Sequence, residues 1–161
     1  MSIWSEPPKE PLAMAVRKDD PEMKAAYRLA AKTLPDFIDH LGIGDKRFCS
    51  VKLCFKDPDL SEQLGKDQLI YWWLDFAQYD EDRKLFSAEF TEIPSGLERY
   101  HQIGQRLVIE GEDIFDWRVN CDGCLFGGFT IRVARRRIPE ADLADYDTYI
   151  GVSKFSDRTA P

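Results

Sequence analysis

The chain has 161 residues, of which 43% are hydrophobic, 12% aromatic and 32% charged, a composition typical of one globular domain. Its net charge of −7 argues against nucleic-acid or anionic-membrane binding, because those surfaces attract cationic proteins, and it favours a basic partner instead. No apolar run reaches the roughly 18 residues of a membrane span, and the first residues lack the layout of a secretory signal. A cytoplasmic location is therefore expected.

The chain divides into an N-terminal arm, one domain and a short tail. Three prolines at positions 7, 8 and 11 predict an extended arm over residues 1–18. Residues 19–155 carry the periodic apolar patterns and are expected to form a single α+β domain. Residues 156–161 are expected to form a polar tail.

A helix is predicted to begin at Asp20, which suits the N-cap, and Pro21 fits the first helical position. Pro35 removes a helical hydrogen bond, so a kink or a fresh start is expected there, and the helix is expected to end at Gly42. Apolar residues recur at steps of three and four and form one stripe: Met23, Ala26, Tyr27, Ala30, Leu34, Ile38 and Leu41.

Four segments after the helix have strand patterns. Residues 47–56 alternate between apolar and polar side chains, as in a half-buried strand. Residues 69–76 have large side chains on both faces, which indicates a central strand or a strand with an aromatic surface patch. Residues 86–91 alternate again and stop before Pro94, and residues 106–110 form a short strand.

Residues 112–133 are predicted to form one β-hairpin, in which two alternating runs are joined by Asp-Gly at positions 122 and 123. That pair suits a type I′ turn, because both central residues of such a turn have positive φ. The two glycines at 127 and 128 lie inside the strand pattern. They predict a bulge, or a place where Trp117 or another bulky side chain lies across bare backbone.

The end of the domain is predicted from weaker patterns. Residues 140–146 are expected to form a short acidic helix, and residues 149–150 a final strand. One helix followed by about six strands in succession predicts an α+β fold. In that fold the N-terminal helix packs on a long, mostly antiparallel β-sheet.

The hairpin carries, in order, Ile114, Asp116-Trp117, Asp122-Gly123, Gly127-Gly128-Phe129-Thr130 and Arg132. With the leading helix and the strands of residues 70–74 and 86–94, these residues resemble the YegJ-like bacterial domains of unknown function over roughly residues 19–135. The resemblance implies a fold more than an activity, because that family has no settled biochemical function. Small domains of this general kind are found near bacterial toxin systems, where some serve as immunity proteins. The proline-rich arm and the cysteines around the turn depart from the family pattern.

Four cysteines, at positions 49, 54, 121 and 124, are interpreted as reduced thiols, because a chain of this size does not need disulfides. The spacing of Cys121 and Cys124 also suits a shared metal ion or a disulfide, but a structural zinc site wants four ligands. Cys49 and Cys54 lie five residues apart on a strand, so their side chains point to opposite faces. Ordinary thiols are preferred, and no metal or cofactor is expected.

No catalytic residue is predicted. The two histidines are not near a Gly-x-Ser-x-Gly elbow, and spacing suggests no nucleophile and base pair. Glu110, Glu112, Asp113 and Asp116 crowd one turn, and paired carboxylates can act as acid and base or hold a hard cation. The preferred interpretation is a solvated turn with a structural Asp116 that points away from the core. Arg132 and the arginines at positions 135–137 could bind phosphate, but in so acidic a chain they are expected to face acidic neighbours.

Two functions from different classes remain. The first is a non-catalytic protein-binding module, an immunity-type protein that blocks a basic, toxin-like partner. Its aromatic centre would be formed by outward-facing Tyr71, Trp73 and Tyr100; the alternative is that the helix covers these aromatics. The second is a small enzyme or ligand-binding domain, whose site lies where three polar hairpin residues meet residues 95–105. The candidate binding residues are Tyr71, Trp73, Tyr100, Asp116, Trp117, Arg118 and Arg132, of which Asp116, Arg118 and Arg132 belong to the second function. The oligomeric state is not predicted.

Overall fold

The computed structural model describes residues 20–44 and 46–161, so the predicted arm of residues 1–18 lies outside the described residues. The helices are α1 (Pro21–Lys32), α2 (Leu34–Ile43), α3 (Pro58–Leu64), α4 (Phe129–Arg136) and α5 (Leu143–Ile150). The strands are β1 (Arg47–Lys56), β2 (Leu69–Asp80), β3 (Leu85–Glu89), β4 (Arg106–Ile109), β5 (Asp116–Cys121), β6 (Cys124–Gly127) and β7 (Lys154–Phe155). The predicted α+β class is confirmed.

The seven described strands form one sheet in the order β4-β3-β2-β1-β5-β6-β7. Every neighbouring pair is antiparallel except β6 and β7, which are parallel. The long strands β1 and β2 lie next to each other near the middle, as expected for residues 69–76 with their large side chains on both faces, whereas the sequence predicts β1 to be only half-buried. The prediction of a long, mostly antiparallel sheet is therefore confirmed.

Local sequence signals explain where the first helices begin and break. Asp20 caps α1 by accepting hydrogen bonds from the backbone N–H groups of Glu22 and Met23, at 3.1 and 3.3 Å. The helix stops before Thr33 and α2 starts directly after it, so the predicted interruption near Pro35 is confirmed. The second helix ends one residue later than predicted.

Two hydrophobic cores lie on opposite faces of the sheet. Face 1 is the face that carries Val51 of β1, and there Phe37 of α2 stacks on Trp117 of β5 with ring centroids 5.2 Å apart. Face 2 is the opposite face, which carries Lys52 of β1. Its core combines Trp73 of β2 with residues of β6, α1, α4 and α5: Leu125, Met23, Ala26, Ile131, Val133, Ala134 and Tyr146.

The predicted hairpin is correct up to residue 127 and wrong beyond it. Asp122 and Gly123 have φ angles of 50° and 87°, which confirms the type I′ geometry of the turn. The strand prediction through residue 133 is wrong, because residues 129–136 form α4. Gly127 and Gly128 have φ angles of 66° and 62°, and two left-handed residues in succession turn the chain out of the sheet.

The expectation for the C-terminal segment needs a similar correction. The predicted acidic helix exists as a 3-10 turn, Glu140–Asp142, followed by α5. Residues 149–150 are not a strand, because they complete the last turn of α5, which Gly151 ends with a φ of 69°. The final strand is instead β7, which follows a few residues later.

Candidate functional site

Strand register arranges the side chains of face 2 in three rows. The inner row contains Trp73, Lys52 and Asp116, which are cross-strand partners on β2, β1 and β5. The middle row, two residues further along the strands, contains Asp75, Ser50 and Arg118. The outer row contains Phe76, Phe48 and Asn120. The rows pass from buried to exposed, and their contacts differ accordingly.

The inner row is built around the carboxylate of Asp116, which is fully buried. Its Oδ1 accepts hydrogen bonds from the backbone N–H groups of Trp117 and Phe129, at 2.8 and 3.2 Å. Its Oδ2 accepts one from the backbone N–H of Thr130 at 2.8 Å and another from the Thr130 hydroxyl at 2.6 Å. Asp116 therefore fixes the N-terminus of α4 to β5, where a carboxylate also complements the helix dipole.

Burial and charge act in opposite directions on this carboxyl. Desolvation raises the pKa of Asp116, whereas the hydrogen bonds from Thr130 and Phe129 and the nearby Lys52 ammonium oppose that increase. Lys52 is itself buried, and its Nζ donates to the Thr130 hydroxyl at 3.4 Å. The expectation that Asp116 is structural agrees with these contacts, but the expectation that it points away from the core is wrong.

The middle row holds an arginine between an acid and an indole ring. Asp75 accepts hydrogen bonds from the hydroxyls of Ser50 at 2.7 Å and Thr91 at 2.5 Å. Arg118 places Nη2 3.8 Å from Asp75 Oδ1, and its guanidinium carbon lies 4.5 Å from the ring centroid of Trp73. The Nε of Arg118 is buried and has no hydrogen-bond partner among the described residues. Arg118 is thus held by stacking and still has donor capacity.

The outer row presents aromatic surface. The rings of Phe48 and Phe76 meet edge to face with centroids 5.6 Å apart, yet the two residues are 39% and 51% exposed. Phe76 reaches this face because the register of β2 and β3 shifts between Asp75 and Gln78, where Phe76 has a φ of 54°. A β-bulge therefore turns an aromatic side chain outward.

The middle and outer rows continue onto the edge of the sheet. Glu89 of β3 pairs with Asp75, and Arg106 of β4 pairs with Glu89, so the polar row crosses five strands. Val108 of β4 lies on the same face and is 72% exposed. We call the surface formed by Phe48, Asp75, Phe76, Arg106, Val108 and Arg118 the open face. From β1 to β4 it spans roughly 14 Å, three strand spacings.

The sequence-predicted aromatic residues do not form one exposed centre. Trp73 is buried under Arg118, whereas Tyr71 is partly exposed and stacks on Tyr27 of α1 with centroids 5.9 Å apart. Tyr100 is exposed in the loop after β3, where its hydroxyl donates to Asp59 Oδ1 at 3.0 Å. Of the candidate binding residues, the structure brings Trp73 and Arg118 together.

The remaining candidate residues make separate structural contacts. Trp117 is fully buried on face 1 and donates its Nε1–H to the hydroxyl of Thr33 at 3.0 Å. A Cβ added to Gly127 would lie 2.6 Å from Cε3 of Trp117, which confirms the predicted crossing of the indole over bare backbone. Arg132 donates from Nε to the carbonyl of Gly127 at 2.9 Å and from Nη2 to that of Leu125 at 3.1 Å.

The arginine run at the end of α4 pairs with acidic residues, as predicted, whereas the same prediction is wrong for Arg132, which binds backbone carbonyls instead. Arg135 and Asp147 form two hydrogen bonds of 2.7 and 2.8 Å, and Arg137 binds Asp20 at 2.6 and 2.9 Å. The guanidinium of Arg137 is the main cause that lowers the pKa of Asp20 to about 2. The run therefore attaches α4 to α1 and α5.

Sequence reasoning missed most of the open face and the buried polar residues that support it. Ser50 and Lys52 were read as the polar side of a half-buried strand, yet both are buried. A lysine and a serine between apolar residues were a weak signal, because their cross-strand neighbours Asp116 and Asp75 are far away in the sequence. Phe76 belongs to the segment for which an aromatic surface patch was one alternative, but its own exposure could not be predicted, because the bulge that exposes it depends on the pairing of β2 with β3.

Two general features are absent from the part of the chain that the structure describes. No three His, Cys, Asp or Glu side chains of residues 20–44 and 46–161 are grouped so that they could hold a metal ion. Among the same residues, no helix has both the length and the apolar character needed to cross a bilayer.

Comparison with known proteins shows the family but no activity. A putative ankyrin repeat protein of Neisseria meningitidis serogroup B (strain ATCC BAA-335 / MC58) is 28% identical over 92 residues, which cover 56% of this chain and 35% of that protein. No solved structure matches the chain. A family model described as uncharacterized protein conserved in bacteria matches residues 20–154. The expected bacterial domain of unknown function is thus confirmed, although its YegJ-like name stays a prediction, and the chain belongs to the DUF2314 family.

Proposed function

We propose that this domain is a non-catalytic protein-binding module of the cytoplasm, and that its partner docks on the open face. The observation that carries the proposal is the exposed pair of Phe48 and Phe76 beside the half-buried Arg118. Phenylalanine and arginine are among the residue types enriched in protein interfaces. The apolar edge residue Val108 extends the same surface.

The contacts of the middle row order the Arg118 side chain before a partner binds. Trp73 stacks on its guanidinium, and Asp75, fixed by the Ser50 and Thr91 hydroxyls, lies beside it. A side chain that is already ordered loses little conformational entropy on binding, which favours affinity. The Arg118 side chain is 20% exposed, and its guanidinium can donate to an acceptor such as a partner's backbone carbonyl.

The partner that the charge balance favours is a basic protein. The chain has 29 acidic and 22 basic residues, and a net charge of −7 accelerates encounter with a cationic protein. We propose that the partner is a toxin and that the domain is an immunity-type protein, a role that the resemblance to immunity domains supports. The name of the Neisseria relative, an ankyrin repeat protein, agrees with a role in protein interaction.

The first experiment identifies the partner and tests the face together. The tagged protein is used as bait in a lysate of the source organism at low and moderate salt, and retained proteins are identified by mass spectrometry. The purified partner is then titrated calorimetrically against the wild type and the double variant Phe48→Ser, Phe76→Ser. We expect a basic protein at a one-to-one ratio, with at least a tenfold loss of affinity in the variant, about 1.4 kcal/mol.

A matched control distinguishes the effect of the open face on affinity from the effect of removing exposed apolar surface in general. Leu64→Ser removes an equally exposed side chain, 53% accessible, from α3 and is expected to bind like the wild type. Equal affinity of the wild type and the Phe48 and Phe76 double variant would refute docking on the open face.

A separate experiment tests the toxin role: the partner is expressed in a host with or without the domain. Growth that does not depend on the domain would refute immunity while leaving binding intact.

The alternative ligand site gains no specific support. Asp116 caps α4 inside the protein, Arg118 lies in the middle row of face 2, and Arg132 binds carbonyl groups of β6. The three side chains therefore make separate contacts.

A further inference from the structure

The two cysteines that flank the turn between β5 and β6 are placed for a disulfide. Cys121 and Cys124 are direct cross-strand partners, and both side chains pack against the core of face 1. Because they close a two-residue turn, they form a hydrogen-bonded pair, whose Cα atoms are typically about 5.5 Å apart. That separation falls within the range of about 4.4 to 6.8 Å that disulfides span. Both are free thiols in the structure, and both are partly exposed.

The turn between the two cysteines is held by contacts from both sides. The carbonyl of Gly123 accepts hydrogen bonds from the backbone N–H groups of Ser153 and Lys154, at 2.8 and 3.1 Å. Asn120 accepts from the N–H of Gly123 at 2.8 Å and donates to the carbonyl of Gly151 at 2.8 Å. The two thiols are therefore kept next to each other before any oxidation, which favours an intramolecular bond.

A cleft of about 550 Å³ opens beside one of the thiols. Cys124 and Phe126 line it together with the segment of residues 154–158. That segment contributes the cations Lys154 and Arg158 and the single carboxylate Asp157. Two cations against one carboxylate favour an anionic small molecule. The cleft therefore gives Cys124 an approach route that suits an anionic disulfide.

The other two thiols are less reactive. Burial raises the pKa of Cys49 to about 11 and also raises the pKa of Cys54. The thiolate is the nucleophile in disulfide exchange, so a raised pKa makes both thiols poorer nucleophiles. Cys49 is moreover buried in the core of face 1.

We propose that Cys121 and Cys124 form a reversible thiol–disulfide site that exchanges with an anionic low-molecular-weight disulfide, such as oxidised glutathione. The Cys124 thiolate attacks one sulfur of the disulfide, forms a mixed disulfide and releases one thiolate. The Cys121 thiolate then attacks Sγ of Cys124, which forms the intramolecular bond and releases the second thiol. Two protein thiols lose two electrons and two protons, and one disulfide molecule becomes two thiols. This inference is independent of the proposed function.

The test is incubation of the reduced full-length protein in buffers of oxidised and reduced glutathione, followed by acid quenching, alkylation and peptide mass spectrometry. We expect residues 121 and 124 to lose the mass of two hydrogen atoms together, and reduction to reverse the change. In Cys121→Ser the reaction is expected to stop at one glutathione bound to Cys124. Cys49→Ser and Cys54→Ser are the matched controls and are expected to react like the wild type.

A second pair of measurements distinguishes reaction with an anionic disulfide from reaction with an uncharged oxidant. Lys154→Gln with Arg158→Gln is expected to slow the reaction with oxidised glutathione about tenfold. The same variant is expected to react at the wild-type rate with hydrogen peroxide, which is uncharged. The proposal is overturned if the two thiols stay alkylatable, if the wild type accumulates the mixed disulfide, or if the products are only intermolecular dimers. An equal rate with glutathione in the charge variant would overturn the role of the cleft.

Discussion

Replacing Asp116 with asparagine is the most direct test of the cap that joins α4 to the sheet. The wild-type carboxylate accepts four hydrogen bonds, two at each oxygen. Asparagine has nearly the same shape but only one acceptor oxygen, so one pair of donors must face an NH₂ group. The Thr130 hydroxyl can rotate and accept from that group, whereas a backbone N–H cannot.

The expected loss of stability follows from these contacts. One buried backbone N–H without an acceptor costs about 1–3 kcal/mol. The loss of the negative charge near the buried Lys52 ammonium adds to this, so we expect a total of about 3 kcal/mol. For a chain of this size each kcal/mol lowers the melting temperature by about 2–4 °C, which gives a shift of about 6–12 °C.

The assay is urea unfolding followed by tryptophan fluorescence, with thermal unfolding as the second probe. Asp122→Asn is the matched control, because it makes the same chemical change in the exposed turn, where asparagine tolerates the positive φ of 50°. We expect it to change the free energy of unfolding by less than about 0.5 kcal/mol. Thr130→Val completes a double-mutant cycle with Asp116→Asn, and its cost should be smaller in the Asp116→Asn background by about 0.5 kcal/mol or more.

Two results would contradict this reasoning. If Asp116→Asn unfolds within about 0.5 kcal/mol of the wild type, the carboxylate does not hold α4 in place. If the variant is fully stable but loses the binding of a small ligand, the alternative ligand site near Asp116 regains its best residue. A plain loss of stability removes that residue from the list of ligand-binding groups.

Three further predictions concern the glycine crossing, acid sensitivity and the C-terminus. Gly127→Ala is expected to cost at least about 2 kcal/mol more than Gly65→Ala in urea unfolding, because both have positive φ but only the first would contact the indole ring. The pKa of Asp20 falls from 3.8 to about 2 on folding. Between these pH values the Asp20 carboxylate therefore binds a proton more strongly in the unfolded state than in the folded state. Stability should therefore fall as pH drops through this window, and less steeply in Asp20→Asn; equal slopes in parallel urea titrations would contradict this. Deleting residues 159–161 removes the Thr159 carbonyl that accepts from the buried His40 at 2.8 Å, and an expected loss of about 1–3 kcal/mol is measured by thermal unfolding.

The amino-acid sequence determined the local elements of this protein. The N-cap at Asp20, the break near Pro35, the strand alternation after residue 47 and the Asp-Gly turn are all local preferences of the backbone and its neighbouring side chains. They fixed the α+β class and most strand positions. The spacing of Trp117 and the glycines at 127 and 128 also predicted a close approach of a ring to bare backbone, which the structure confirms.

Local patterns failed where two conformations suit the same residues. The alternation of Phe129, Ile131 and Val133 fits a strand, but the buried positions of α4 also satisfy helical spacing. The choice depends on two left-handed glycines and on a carboxylate 14 residues upstream that caps the helix. Only the tertiary structure brings that carboxylate to the helix terminus.

The open face was decided by the tertiary structure for the same reason. Strand register, which places Asp75 against Ser50 and next to Arg118, depends on the pairing of segments far apart in the chain. The bulge that turns Phe76 outward exists only because β3 pairs with β2 in a shifted register. The sequence determined which residue types each strand carries, and long-range pairing determined which of them meet at the surface, because side-chain alternation alone does not define the neighbours of a strand.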